Sequence, residues 1–256
     1  GGVEKLYIDS QKNFWVKFYD IGLWYYNPHT KKTNHFNYGY ALHDINPTYN
    51  ISVCTDIGDQ VLMVTTNGEL CCFNGEKGLK EYDDTWMKDH GSRENRDYHL
   101  AVDPDGNIWV SVEEQSFIKL KKENQWVVGI KNYLQQQQIE GLPEELQVWD
   151  MKFDGRGRFW AATDHEGLLI FHLKNHEMRQ FLNNKLDEST LSDNTIRNIL
   201  MDDRGLVWIG TYKNGVNMYK EGSNYMMNVD VGDINAVSED RYGNYWVGTN
   251  DRGIIV

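Results

Sequence analysis

Proline and cysteine are scarce in this 256-residue chain, with 4 and 3 copies respectively. No apolar run approaches the length that crosses a bilayer as a helix. The three cysteines, Cys54, Cys71 and Cys72, lie in apolar, strand-like text; an odd count with a vicinal pair makes a poor disulfide framework, and no CxxC spacing points to zinc. They read as small core residues. Positive charge is also in short supply: 26 Lys and Arg face 38 Asp and Glu, for a net charge of −12. That excludes a nucleic-acid-coating role, which needs clustered cations to meet phosphates, and an anionic membrane surface would repel the chain likewise. The chain opens Gly-Gly-Val and runs directly into a strand-like stretch, without a signal-peptide pattern; a cytosolic protein, a processed exported one and an excised piece all fit that start.

What the chain does contain is 23 Gly, 9 Trp and 15 Tyr, a turn-rich and aromatic composition that leans toward an all-β protein. Two stretches near its end, DDRGLVWIGTYKNG at 202–215 and DRYGNYWVGTNDRG at 240–253, are near copies of each other. Aligned on the Trp of this phrase, the chain holds six copies, at Trp15, Leu62, Trp109, Trp160, Trp208 and Trp246, in steps of 47, 47, 51, 48 and 38 residues. That period, with several short strands per unit, marks a β-propeller of four-stranded blades. The copies run approximately over 1–47, 48–96, 97–145, 146–193, 194–231 and 232–256, as a single propeller domain or a fragment of one. In the fifth, strand A is expected at 196–201, B at 206–211, C at 216–220 and D around 224–229. The sixth copy stops inside strand C, so either a seventh blade follows outside this piece or a six-unit ring lacks its outermost strand; a seven-bladed propeller is the expectation.

Six residues before every anchor stands an aspartate: Asp9, Asp56, Asp103, Asp154, Asp202 and Asp240. Three residues before it, Gly106, Gly157, Gly205 and Gly243 fill four copies, where positive φ makes a tight turn. A residue type present in every copy is framework, since catalysis needs it once. The anchor strands are apolar on both faces, as in a sheet sandwiched between neighbours. Two places after the anchor, Ser111, Ala162, Gly210 and Gly248 are small, which would let the next blade approach closely. Residues 131–147, with a run of four glutamines, read as a loop excursion containing a short helical turn.

Residues 191–219, LSDNTIRNILMDDRGLVWIGTYKNGVNMY, and 234–253, INAVSEDRYGNYWVGTNDRG, resemble the two-component regulator propeller repeat; residues 148–171 and 97–112 are looser examples. The resemblance implies the extracytoplasmic, periplasmic sensor part of a hybrid two-component regulator, which detects an oligosaccharide and relays binding to an attached histidine kinase. It further implies a homodimer through the full ectodomain, tethered to the membrane by segments outside this sequence, with no catalytic residue, cofactor, metal or nucleic-acid partner of its own. Two other classes stay open: a propeller enzyme acting on polysaccharide, as glycosidase or lyase, and a protein-interaction scaffold.

Selectivity in such a framework belongs to the loops that differ between blades, the B–C and D–A connections. Saccharides are held by aromatic rings against C–H faces and by amides, carboxylates and guanidinium groups against hydroxyls. On that chemistry the candidate ligand-binding residues are Tyr40, Trp86, His90, Arg93, Arg96, His165, Tyr212, Asn214 and Arg252. Arg93 and Arg96 would suit a uronate or sulfate, or simply balance nearby carboxylates. His165-Glu166 is the best acid–base pair, although adjacent residues on a strand point apart. His172 and His176 flank the expected C–D turn of their blade and give only a weak metal signal.

Overall fold

The structure, a computed structural model, describes residues 3–18, 22–36, 51–57, 60–65, 70–74, 78–81, 98–112, 115–123, 125–202, 204–220, 222, 226–240, 242–249 and 252–256. Tyr40, Trp86, His90, Arg93 and Arg96 therefore lie outside the described residues. The chain divides into two compact units, Gly1–Val110 and Ser111–Val256.

Every sheet is an antiparallel meander whose strands follow chain order. The first unit holds β1 (Val3–Ile8), β2 (Phe14–Phe18), β3 (Gly22–Tyr26) and β4 (Thr33–Phe36), then β5 (Ile51–Ile57), β6 (Gln60–Thr65), β7 (Leu70–Asn74) and β8 (Gly78–Glu81), then β9 (Tyr98–Val102). The division runs through β10 (Ile108–Val112), which with β9, β11 (Gln115–Lys119) and β12 (Trp126–Val128) makes the third sheet. The second unit continues with α1 (Ile130–Gln136), which places the expected helical turn at 130–136 and buries Ile130 and Leu134. Then come β13 (Val148–Phe153), β14 (Arg158–Thr163), β15 (Leu168–His172) and β16 (Glu177–Phe181), followed by β17 (Ile196–Met201), β18 (Leu206–Thr211), β19 (Val216–Lys220) and β20 (Met226–Val229). β21 (Ile234–Glu239), β22 (Tyr245–Thr249) and β23 (Ile254–Ile255) form the last, three-stranded sheet. The strands expected in the fifth copy fall on β17 to β20. Cys72 is buried, its thiol donating to Gln60 Oε1 at 3.1 Å.

The invariant aspartate does more than start a turn. Oδ2 of Asp9, Asp103, Asp154 and Asp240 accepts the indole N–H of Trp15, Trp109, Trp160 and Trp246 at 2.9, 3.0, 2.9 and 3.0 Å, and Asp202 accepts that of Trp208 at 3.4 Å. Oδ1 meanwhile accepts the backbone N–H two residues before the tryptophan, from Asn13, Asn107, Arg158, Leu206 and Asn244. One carboxylate thus closes the A–B turn and orients the indole. The second copy, with Leu62 in place of the indole, shows the corollary: Asp56 instead accepts the Tyr7 hydroxyl at 2.8 Å and the Ser10 N–H. The turn glycines adopt positive φ, between 75° and 82°, and Lys12, which replaces glycine in the first copy, is forced to φ 65°.

Oriented in this way, Trp15, Trp109 and Trp160 are buried, whereas Trp208 is half-buried and Trp246, on the last sheet, is exposed. Trp109 and Trp160 are fully buried, and Trp160 meets Tyr219 of the following sheet edge-on at 5.9 Å. Around it, Leu168, Ile170, Ile196, Ile199, Ile209 and Met226 form the core between the sheets β13–β16 and β17–β20. All residues of β14 are buried, as a strand sandwiched on both faces must be. The small residues after the anchor sit where expected. A Cβ added to Gly210 would lie 2.9 Å from Ile234 Cγ2 of the next sheet and 2.0 Å from Asn198 Oδ1. Ala162 is buried, and Ser111 is buried with its hydroxyl donating to the Val148 carbonyl of the next sheet at 2.9 Å.

Burial pushes the Asp154 carboxyl up, but the Arg158 backbone N–H, the Trp160 indole and the Arg158 guanidinium outweigh it and hold the group below its ordinary value. Asp202 is likewise lowered: burial opposes, while the Tyr245 hydroxyl, the Leu206 N–H and the Trp208 indole prevail. Asp240 is lowered by the Asn244 amide and the Trp246 indole.

Depressed carboxyls contribute stability that is fully present above their unfolded value, about 3.9, and is lost as pH falls through their lower folded values. Melting temperature should therefore hold steady from neutral pH down to about 5 and fall steeply below about 4, with a shallower fall in Asp154→Asn; a thermal-melt series against pH measures both. Asp103→Ala strands the Trp109 N–H in a fully buried place and should cost about 2–3 kcal/mol in denaturant titration.

Candidate functional site

A groove of about 1360 Å³ lies in the second unit, bounded by the β16–β17 connection, the β14–β15 and β18–β19 turns and the edge strand β20. Typical small-molecule pockets hold roughly 300–1,000 Å³, so this one has room for an extended ligand. Its walls are the B–C and D–A connections, where blade-to-blade differences concentrate.

The walls are braced rather than loose. In the β16–β17 connection, the Asn183 side-chain amide donates to the Leu191 carbonyl at 2.5 Å, and its backbone N–H donates to Asn194 Oδ1 at 2.6 Å. Asn184 accepts from Leu186 N–H, Asp187 accepts from both the N–H and the hydroxyl of Ser189, and Leu191 is anchored in the core. Ser192 donates through its N–H and its hydroxyl to Oδ1 of buried Asn217 at 3.1 and 2.9 Å. The β18–β19 turn is tied to this connection: the Tyr212 N–H donates to the Thr195 carbonyl at 2.8 Å, and the Asn214 amide bonds the Ser192 carbonyl and Asp193. Gly167 and Gly215 hold the two turns at φ 70° and 83°, where an added Cβ would meet the carbonyls of Phe181 and Val229 at 2.1 and 2.2 Å.

At the groove Arg197 lies between two rings, its guanidinium carbon 4.2 Å from the Trp149 ring centre and 4.6 Å from that of Tyr212. Trp149 and Arg197 occupy the same place in successive blades, the second residue of strand A. There the pairing with strand B skips a residue, between Val148 and Asp150 in β13 and between Ile196 and Asn198 in β17. A bulge leaves its extra residue unpaired and re-aims the side chain, which is how framework strands put two side chains on the groove. The same skip recurs in β1, β5 and β21.

Of the expected ligand residues that are described, His165, Tyr212 and Asn214 line this groove, and Arg252 stands beside it, 3.8 Å from Asp230 of the rim. His165 sits on the turn at φ 69°, with Nδ1 2.9 Å from Asp164, and Glu166 accepts from the Gln180 amide. His172 and His176 flank the β15–β16 turn. Trp149, Arg197 and the whole 182–195 connection escape a reading that looks for sites in B–C loops and the first two D–A loops. The available signal is that position one of these bulged strands is always Val or Ile, while position two is Glu4, Ser52, Trp149, Arg197 or Asn235.

The described sheets define the class: an all-β propeller of four-stranded antiparallel blades. Residues 190–213 and 229–251 match the family model of the two component regulator propeller, so the chain carries repeats of that kind. Among solved structures, the extracellular domain of the proposed hybrid two component system BT4673 from B. thetaiotaomicron aligns with 96% of the chain at TM-score 0.55 and 17% identity. That of BT3049 from the same organism aligns with 98% at 0.52 and 16%. PorZ, a surface component of the type-IX secretion system of Porphyromonas gingivalis, aligns with 99% at 0.53 and 15%. The chain spans 38%, 38% and 44% of these three structures' own lengths, and at such identities the likeness is one of fold. No curated protein sequence matches the chain.

Gly215→Ala should cost about 2–3 kcal/mol in denaturant unfolding, because it combines an unfavourable backbone conformation with a clash against the Val229 carbonyl.

Proposed function

We propose that the chain is a ligand-sensing part of a two-component regulator, held outside the cytoplasm, whose groove between the fourth and fifth blades takes an oligosaccharide. The observation that carries this is the groove itself: about 1360 Å³, pre-braced, and lined by amides, hydroxyls and the Trp149 and Tyr212 rings. The repeats at 190–213 and 229–251 support the regulatory setting. A ligand bridging the β16–β17 connection and the β18–β19 turn would couple two blades, a geometric change that a dimeric ectodomain could pass to an attached histidine kinase. In Gram-negative cells such a part would work in the periplasm, with kinase chemistry supplied by segments outside these 256 residues.

A second reading, a surface for a protein partner, draws on exposed apolar side chains at the rim: Leu186 is 96% exposed and Met227 54%.

Calorimetric titration against a panel of neutral and acidic oligosaccharides, with chromatography of the sugar afterward, separates the possibilities. Sensing predicts saturable binding, intact sugar, and at least about tenfold weaker binding in Tyr212→Ala, the loss of one stacking or hydrogen-bonding contact. Shortened or unsaturated sugar products would make the protein an enzyme. Binding unaffected by Tyr212→Ala would move the site elsewhere.

A further inference from the structure

The groove is lined by more acid than base, yet its charges are not equally engaged. Asp164 faces His165 and the Thr195 hydroxyl; Asp187 is held by Ser189; Asp193 accepts from the Thr195 N–H and the Asn214 amide; Asp230 accepts from the Gly232 N–H and faces Arg252. Four of the lining carboxylates are thus committed to bracing the walls, which leaves Glu188. Two of the lining cations are in the opposite state. Neither Arg197 nor Lys213 makes an ion pair or donates a hydrogen bond among the described residues, and both rest on the same ring, Lys213 Nζ lying 5.3 Å from the centre of Tyr212.

Stacking uses only the two faces of the Arg197 guanidinium. Its five N–H donors lie in the plane of the group and point outward from between the rings. Contact with both the Trp149 and Tyr212 rings restricts the side chain, so less freedom remains to be lost when an anion arrives. A planar, restricted fork with no protein carboxylate matches a carboxylate or sulfate bidentately.

We infer that the saccharide bound in this groove is acidic, and that its carboxylate or sulfate docks on the edge of Arg197 with Lys213 alongside. Arg197 is then the residue that sets specificity, and the bulge in β17 is the device that presents it. This rests on the reading of the groove as a saccharide site.

The test is calorimetry on the full chain with matched pairs: an oligogalacturonate against its methyl ester, and a chondroitin sulfate oligosaccharide against its desulfated form. The galacturonate pair reports a carboxylate and the chondroitin pair a sulfate. The expected result is binding of an acidic member, weakened at least about tenfold by esterification or desulfation, weakened further by rising NaCl, and stripped of its charge preference by Arg197→Gln. Lys213→Gln, an exposed position, gives the same loss in smaller measure and serves if Arg197→Gln lowers the melting temperature. Equal affinity for both members of each pair, with Tyr212→Ala weakening both, would overturn the acidic ligand and leave the saccharide site standing. An acidic ligand whose affinity ignores both Arg197→Gln and Lys213→Gln would overturn the role of these residues. No binding by any member, charged or neutral, would overturn the saccharide site and this inference together.

Discussion

Everything in this fold hangs on one carboxylate accepting two N–H groups at a tight turn. In each copy that has the tryptophan, the aspartate accepts a backbone N–H across the A–B hairpin with one oxygen and the indole N–H with the other. The first bond sets where strand B begins; the second sets which way its largest side chain faces. An indole buried without a partner for its N–H would be costly, so the ring can fill the gap between blades only because the aspartate is there. The second copy shows the same economy in reverse: without an indole at Leu62, Asp56 serves Tyr7 and Ser10 of the preceding sheet.

Because that frame is repeated, what differs between blades stands out against it. First strands pack against first strands, β13 with β17 and β17 with β21. Each of β13, β17 and β21 carries a bulge at its second residue. The bulge is the point where a rigid strand releases one side chain from the pairing pattern without disturbing its neighbours. The groove combines this with loops that are held by their own side-chain hydrogen bonds, so the site is formed before any ligand arrives.

Much of the fold was legible in the sequence, because period, turn chemistry and hydrophobic pattern act locally and recur. Asp at minus six recurs in all six copies, and glycine at minus three and a small residue at plus two recur in four, each answering a local constraint of the blade. Lys12, which stands in the glycine's place in the first copy, adopts positive φ as well. The site was legible only in part. Tyr212, Asn214 and His165 were within reach because they lie on a short turn next to the repeat's signature. Trp149 and Arg197 were not, since strand alternation alone assigns them a paired place in β13 and β17.

The sequence by itself determined the blade, its period and the reason for its invariant aspartate, since these follow from backbone geometry and burial within some forty to fifty residues. Only the tertiary structure decided that the Arg197 guanidinium meets both the Trp149 and Tyr212 rings, drawn from two blades, and which charges of the groove are already engaged. Those facts depend on how neighbouring sheets are rotated against each other and on a skipped residue in each first strand. Contacts of that kind join residues far apart in the chain, and no local pattern records them.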